Sequence, residues 1–106
     1  MSPKKRRKKK VQAWLIDKKG HSFQLNKGKT TIGSLSKNDI RISKKTVGRR
    51  HATINEMSGH FRLTDLDSKN GTFLNGSRLR APALLFPNDK VRFGAKYSVY
   101  FLARGR

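Results

Sequence analysis

The sequence predicts an all-β fold, a β-sandwich of two antiparallel sheets, on three observations. Short runs rich in valine, isoleucine, threonine and aromatic residues recur along the chain, separated by clusters of glycine, asparagine, aspartate, serine and lysine. Several runs alternate apolar and polar residues with the period of two that marks a half-buried strand. No stretch of ten or more residues shows a convincing helical period. Many short strands without helices are typical of a sandwich.

Eleven strands are predicted between the N-terminal tail and the last residues of the chain. Alternation is clearest in DIRI, where Ile40 and Ile42 share one face, and in DKVRF, where Val91 and Phe93 do. Turn residues separate the runs, because glycine adopts positive φ readily and proline presets its own φ. In order, the predicted strands are residues 11–17, 21–25, 29–32, 39–42, 50–56, 60–66, 72–75, 77–80, 83–86, 89–93 and 97–103.

The aromatic residues and two Asn-Gly pairs have structural interpretations. Asn70-Gly71 and Asn75-Gly76 are predicted to be hairpin-type turns, since both residue types tolerate positive φ. Asn75 is assigned to the turn alone, whereas Asn70 stays open between a turn residue and a ligand contact. The core is predicted to contain the aromatic side chains of Trp14, Phe23, Phe61, Phe73, Phe93, Tyr97 and Phe101.

Size and composition exclude several classes of function. A chain of 106 residues has the size of one domain. It contains no cysteine, which excludes disulfides and thiolate metal sites, and its histidines do not have zinc spacing. No apolar run reaches the length of a membrane span, so no membrane partner is predicted. Catalytic and phosphate-loop motifs are absent, so neither enzyme activity nor a cofactor is predicted.

Charge points to a polyanionic partner. The chain carries 26 lysines and arginines against 6 acidic residues, a formal net charge of +20. Residues 1–10 are predicted to be a disordered tail, because like charges repel any compact form. Pro3 and the basic run after it resemble a nuclear localisation signal, and a nonspecific DNA- or RNA-binding arm is the other interpretation. The run consists of Lys4, Lys5, Arg6, Arg7, Lys8, Lys9 and Lys10.

Three loop stretches, read in order, resemble the forkhead-associated (FHA) domain. They are TIGSLSKNDIRI, TVGRRHATI and LDSKNGTFLNG, and the closing NDKVRFG matches the family's pattern as well. The resemblance extends from Val11 to about Leu102, so residues 11–106 are predicted to form one FHA-like domain. It implies an eleven-stranded sandwich whose loops at one end bind a phosphothreonine-containing peptide. The implied chemistry is recognition, since a phosphate needs several converging, charge-assisted donors.

The resemblance also implies roles for individual residues, and the sequence departs from the family at two phosphate ligands. Ser34 occupies the position of the arginine that usually grips the phosphate. Gly48 occupies the position of the serine whose hydroxyl usually donates to it. Lys69 replaces a residue that is often a hydroxyl-bearing contact, whereas Asn70 matches the asparagine that bonds the backbone of the bound peptide. Structural roles at the site are implied for Gly33, His51 and Gly71.

We therefore predict a modified phosphate site for a phosphorylated or acidic protein partner. Cationic side chains enter the same loops, and lysine binds phosphate with less directional selectivity than arginine. The predicted peptide-binding residues are Ser34, Lys45, Arg49, Arg50, Lys69 and Asn70.

Two alternatives remain open at this point. One is a phospho-independent interaction domain that dimerises or binds a partner through a sheet face. The other is a nonspecific nucleic-acid or chromatin binder that uses the tail and a basic face. The predicted localisation is nuclear, and the chain is expected to be a fragment of a larger protein, as FHA domains normally are.

Overall fold

The computed structural model describes residues 11–105, which form eleven strands in two sheets and contain no helix. Each predicted strand corresponds to one observed strand, so the predicted sandwich is confirmed. The strands are β1 (Gln12–Asp17), β2 (Ser22–Gln24), β3 (Lys29–Gly33), β4 (Ile40–Arg41), β5 (Ala52–Met57), β6 (His60–Asp65), β7 (Thr72–Leu74), β8 (Ser77–Arg78), β9 (Ala83–Leu85), β10 (Lys90–Phe93) and β11 (Tyr97–Arg104).

Two sheets of unequal size stack against each other. The six-stranded sheet has the order β2-β1-β11-β10-β7-β8, and the five-stranded sheet has the order β4-β3-β5-β6-β9. The first and last strands, β1 and β11, are neighbours in the larger sheet, and all of β1 pairs with residues 99–104 of β11. This arrangement brings the loops β3–β4, β4–β5, β6–β7 and β10–β11 to the same end of the sandwich.

One strand pair departs from the antiparallel pattern. β4 pairs with β3 in parallel, with Ile32 opposite Ile40 and Gly33 opposite Arg41. The turn that permits this is closed by the Asp39 carboxylate, which accepts from the Thr31 N–H at 2.8 Å. The Thr31 hydroxyl in turn accepts from the Asp39 N–H at 2.8 Å. These reciprocal bonds return the chain to the middle of β3 within a few residues, so β4 runs beside the end of β3 in the same direction.

The core lies between the two sheets, and three of the predicted aromatic residues form its centre. Phe61, Phe93 and Phe101 are at most 4% exposed, and the rings of Phe61 and Phe101 lie 5.4 Å apart. Phe23 and Tyr97 are half-buried against its edge. The remaining buried hydrophobic residues are aliphatic: Ala13, Leu15, Leu25, Ile32, Ile40, Ile42, Val47, Ala52, Ile54, Leu63, Leu85, Val91 and Val99.

The prediction that Trp14 and Phe73 belong to the core was wrong. Trp14 stands between the buried Ala13 and Leu15, so the alternation of the strand places its ring on the outer surface of the six-stranded sheet. Phe73 alternates in the same way after the buried Thr72. Both rings are half-buried on that outer surface. Aromatic character alone therefore did not distinguish the two faces of these strands.

Candidate functional site

Three loops meet at one end of the sandwich and carry every site residue predicted for residues 11–105 except Gly33, which is the last residue of β3. These are the β3–β4 loop (residues 34–39), the β4–β5 loop (residues 42–51) and the β6–β7 loop (residues 66–71). The site residues divide into a set that joins the loops and is buried, except for the half-buried Asp65, and a set that surrounds them and is exposed, except for the half-buried Ser34. We call the first set the frame (Gly33, His51, Asp65 and Gly71) and the second the rim (Ser34, Lys45, Arg49, Arg50, Lys69 and Asn70).

His51 is the centre of the frame and is completely buried. Its Nδ1 accepts a hydrogen bond from the backbone N–H of Gly48 at 2.8 Å, and its Nε2 lies 2.9 Å from the carbonyl oxygen of Gly71. Because Nδ1 accepts, the ring proton sits on Nε2 and donates to that carbonyl. The imidazole packs edge-on against Phe93, with 5.7 Å between ring centroids. One neutral side chain thus holds the β4–β5 loop against the β6–β7 loop.

Gly33 allows the β3–β4 and β4–β5 loops to approach closely. A Cβ at this position would overlap the carbonyl group of Arg49 and lie 2.8 Å from the Nδ2 of Asn38. The neighbouring Ser34 N–H donates to the Gly48 carbonyl at 2.9 Å. Asn38, which the sequence did not single out, donates from Nδ2 to the Arg49 carbonyl at 2.8 Å. The two loops are therefore joined backbone to backbone where only a glycine fits.

Asp65, the last residue of β6, holds the β6–β7 loop by hydrogen bonds. Its carboxylate accepts from the backbone N–H of Ser68 at 3.0 Å and from the hydroxyls of Ser68 and Thr72. The Ser68 hydroxyl oxygen accepts from the Gly71 N–H at 3.0 Å. Burial raises the pKa of Asp65, but these hydrogen bonds outweigh it and lower the pKa below its ordinary value. The loop therefore folds around an ionised carboxylate.

Asn70 connects the rim to the frame. Its side-chain amide donates to the Thr46 carbonyl at 3.1 Å, which ties the β6–β7 loop to the β4–β5 loop. Gly71 has a φ of 88° and Asn70 is not in the positive region, so the predicted Asn70-Gly71 hairpin turn was wrong. The β7–β8 hairpin is instead closed by Asn75 and Gly76, which have φ values of 49° and 91°. Asn70 is exposed at the loop end rather than within a hairpin.

The rest of the rim is exposed and cationic. Lys45, Arg49, Arg50 and Lys69 are exposed, and Ser34 is half-buried. Among residues 11–105 the close contacts between a basic side chain and a carboxylate are those of His21 with Asp17 and His51 with Asp65, so within that range no rim cation has a carboxylate partner. The loop end therefore presents several uncompensated positive charges to an anion.

Arg41 belongs to this rim by position, and the sequence did not indicate it. Its Nε donates to the Ser34 carbonyl at 3.0 Å, so its guanidinium lies beside the residue that replaces the family's arginine. The parallel pairing of β3 with β4 is what places Arg41 opposite Gly33. Alternation in DIRI marks Arg41 as outward-facing, but nothing in the sequence indicates a parallel pair.

A cleft of about 410 Å³ opens on the outer side of the β6–β7 loop. Arg78 lines the cleft and is bonded to the loop: its Nη2 donates to the carbonyls of Ser68 and Lys69 at 3.3 and 3.4 Å. The cleft gives the loop a second cationic border, and its lining consists of Thr64, Asp65, Asp67, Ser68, Arg78, Leu79, Arg80, Ala81 and Pro82.

The basic run, metal sites and membrane spans are the remaining features for which the sequence provides an expectation. The basic run from Lys4 to Lys10, with its nuclear and nucleic-acid interpretations, lies outside the described residues. Between residues 11 and 105, no group of three or more histidine or acidic side chains is arranged to hold a metal ion. In the same range there is no helix that could cross a membrane.

Comparison with known proteins identifies the family. The sequence model of the FHA domain matches residues 30–94, so the chain belongs to the FHA family. An oxoglutarate dehydrogenase inhibitor from Corynebacterium diphtheriae is 35% identical over 83 residues, which are 78% of this chain and 57% of the relative. The chain thus spans little more than half the length of that curated relative.

Solved structures show the same fold. Mycobacterium tuberculosis EmbR in complex with a low-affinity phosphopeptide superposes with a TM-score of 0.82 and 30% identity, covering 86% of this chain and 24% of that one. A structure from an analysis of phosphothreonine-dependent FHA domain interactions gives a TM-score of 0.77 and 29% identity, covering 87% and 94% of the two chains. Together these matches confirm the predicted family and its non-enzymatic character. The Corynebacterium and Mycobacterium relatives are bacterial, and the nuclear localisation stays a prediction.

Proposed function

We propose that this domain binds a phosphothreonine-containing segment of a protein partner at the loop end, with Arg41 replacing the arginine that the family usually provides. One observation carries the proposal: the Nε of Arg41 is fixed on the Ser34 carbonyl at 3.0 Å. A guanidinium has five N–H donors, so four remain after this bond to reach phosphate oxygens in a forked geometry. Arg41 is thus anchored on one side and exposed on the other.

The remaining cations of the rim attract the phosphate by their charge, whereas the directed hydrogen bonds come from Arg41. Arg49 and Arg50 follow Gly48 directly, at the position where the family's serine would approach the phosphate. The Arg49 carbonyl is held by the Asn38 amide, which fixes the backbone from which this side chain extends. Lys69 lies in the facing loop beside Asn70. Positive charge therefore borders the phosphate from both loops, in addition to the anchored guanidinium of Arg41.

In this proposal Asn70 forms a hydrogen bond with the backbone of the bound peptide. Its Nδ2 is occupied by the Thr46 carbonyl, whereas its Oδ1 has no partner among residues 11–105. An amide fixed on one side and unoccupied on the other can accept an N–H from an extended peptide. Of the two roles that the sequence left open, turn residue and ligand contact, this proposal assigns Asn70 the ligand contact, in addition to its bond between the two loops.

The relatives support this class of ligand. The EmbR structure contains a low-affinity phosphopeptide, and the second structure comes from work on phosphothreonine-dependent interactions. The loss of a serine hydroxyl at Gly48 removes a hydrogen bond to a charged group, which is worth about 1.5–3 kcal/mol. We therefore expect an affinity about ten- to a hundredfold weaker than that of a site with the complete set of ligands.

The test is a fluorescence titration of the whole chain with a degenerate phosphothreonine peptide library and its unphosphorylated twin, at about 0.15 M salt. The variant Ser34→Arg/Gly48→Ser restores both family ligands. A Cβ at residue 48 would meet its nearest neighbour, the His51 Nδ1, at an ordinary contact distance of 3.6 Å, so the serine fits. Asn55→Arg, which adds one arginine at an exposed position of β5, is the matched control for charge.

The proposal predicts binding of the phosphorylated library alone, an increase of about tenfold or more in the restored variant, and no change in the control. Equal binding of both libraries would instead favour a phospho-independent interaction domain. Failure of the restored variant to bind more tightly would show that the loop end does not receive the phosphate.

A further inference from the structure

The outer surface of the six-stranded sheet combines apolar rings with positive charge in a way that the phosphopeptide site does not use. Strand alternation and register place nine such side chains on this surface. We call it the aromatic–cationic face: Trp14, Ile16, Phe73, Tyr100, Leu102, Arg78, Lys90, Arg92 and Arg104.

Tyr100 lies at the centre of this face. β11 is an inner strand of the sheet, and Tyr100 is paired with Ile16 on one side and with Lys90 on the other. Its side chain is 40% exposed, whereas the other aromatic and aliphatic residues of the face are half-buried. The face is therefore a flat apolar platform with one accessible ring in its middle.

Two arginines stack on the neighbouring rings. The guanidinium carbon of Arg92 lies 3.9 Å from the centroid of the Phe73 ring, and that of Arg104 lies 5.8 Å from the Trp14 ring. Arg92 is also fixed by bonds from Nη1 to the carbonyls of Gly94 and Ala95, at 2.6 and 3.0 Å. A guanidinium held over a ring joins the ring in offering a cationic, π-bonded surface to a base.

The charge of this face has a single sign. Its four cations are spread over β8, β10 and β11, and no outward position of the sheet carries an acidic residue. The outward strand positions of the other sheet contain no aromatic residue. Rings and cations therefore coincide on one side of the sandwich.

We propose that the aromatic–cationic face binds single-stranded nucleic acid, with bases on Tyr100 and Trp14 and phosphates on the surrounding cations. Stacking platforms bordered by basic side chains are suited to this ligand, because every base has a flat surface and every nucleotide a negative charge.

Other occupants match the face less well. A second copy of the chain would bring another +20 against it. A bilayer surface favours apolar side chains that project into it, and here only Tyr100 among the apolar residues is more than a third exposed. Single-stranded nucleic acid supplies both the negative charge and the planar groups that this flat surface accommodates.

The test measures binding of the whole chain to a labelled 12-nucleotide oligo(dT), with a duplex, an inorganic polyphosphate and anionic phosphatidylserine vesicles as comparison ligands. The test variant is Tyr100→Ala/Arg104→Ala. The matched control, Phe86→Ala/Arg62→Ala, also removes one exposed aromatic residue and one arginine, but away from this face. The test variant and the control variant both keep the basic run at residues 4–10, so its contribution to the affinity for oligo(dT) is the same in the two. Trp14 is the single tryptophan of the chain, and its fluorescence reports directly on the face.

The expected result is quenching of Trp14 by oligo(dT) and not by polyphosphate, with affinity for oligo(dT) about tenfold weaker in the test variant. The log–log salt slope of that variant should fall by about 0.7, for one lost phosphate contact, relative to the wild type. We expect the control to lose the same charge without the loss of quenching or the tenfold loss of affinity. Equal affinity of both variants, no quenching, equal affinity for duplex, or binding to vesicles alone would each overturn the proposal.

Discussion

The frame and the rim of the loop end lie within a few residues of each other but obey different constraints. His51 and Gly33 are buried, and a change of a single group at either one leaves a polar atom unpaired or two loops overlapping. Arg49 and Lys69 are exposed and have no carboxylate partner within residues 11–105. The fold therefore depends on the frame, whereas the choice of ligand depends on the rim, and the two can change independently.

The largest effect that tests this division is expected at His51. His51→Ala leaves the Gly48 N–H and the Gly71 carbonyl without their partner and opens a cavity, at a cost of about 3 kcal/mol in the free energy of unfolding. Urea denaturation measures the loss, with the exposed His60→Ala as control. A loss below about 1 kcal/mol would show that the loops do not depend on this histidine.

Alanine substitutions at two glycines compare the stability of a position inside the frame, Gly33, with that of a position outside it, Gly48. Gly33→Ala forces the Arg49 carbonyl aside and should destabilise the domain by about 2 kcal/mol. Gly48→Ala meets its nearest atom at 3.6 Å and should stay within about 1 kcal/mol of the wild type. Thermal or urea unfolding of both variants gives the comparison. Equal losses would mean that the close approach at Gly33 is not the cause.

Acid should weaken the frame through Asp65. Its pKa in the folded protein lies below the ordinary value of 3.8, so its contribution is complete above that value and disappears as the pH falls through the lowered pKa. Asp65→Asn should cost about 1 kcal/mol at pH 7 and less in strong acid. Denaturation at several pH values measures this, and Asp67→Asn, on the same loop, is the control. A loss that is constant with pH would contradict the role of the ionised carboxylate.

The smallest effect on stability is expected at the rim. Arg49→Ala/Arg50→Ala removes two exposed cations and should change the free energy of unfolding by no more than about 0.5 kcal/mol, while it weakens phosphopeptide binding. Unfolding and binding are measured on the same preparation. A large loss of stability with unchanged binding would place these arginines in the frame instead.

The sequence predicted the strands and the frame more completely than the rim. Alternation and turn residues locate the strands because local chain geometry imposes both, and the family pattern places Gly33 and His51. Arg41 was missed because its position depends on the parallel register of β3 with β4, which results from the Thr31–Asp39 hydrogen bonds. Trp14 was assigned to the core because hydrophobicity does not tell which face of a strand a ring occupies.

The most direct test of the central claim, that Arg41 replaces the missing arginine, is a rescue measurement. The phosphothreonine library is titrated into the wild type, Arg41→Ala and Ser34→Arg/Arg41→Ala under identical conditions. The proposal predicts a loss of about tenfold or more in Arg41→Ala, for one charge-assisted contact, and recovery in the double variant, because Ser34→Arg returns the guanidinium to the family's position. Unchanged binding by Arg41→Ala, or a loss that Ser34→Arg does not restore, would contradict it.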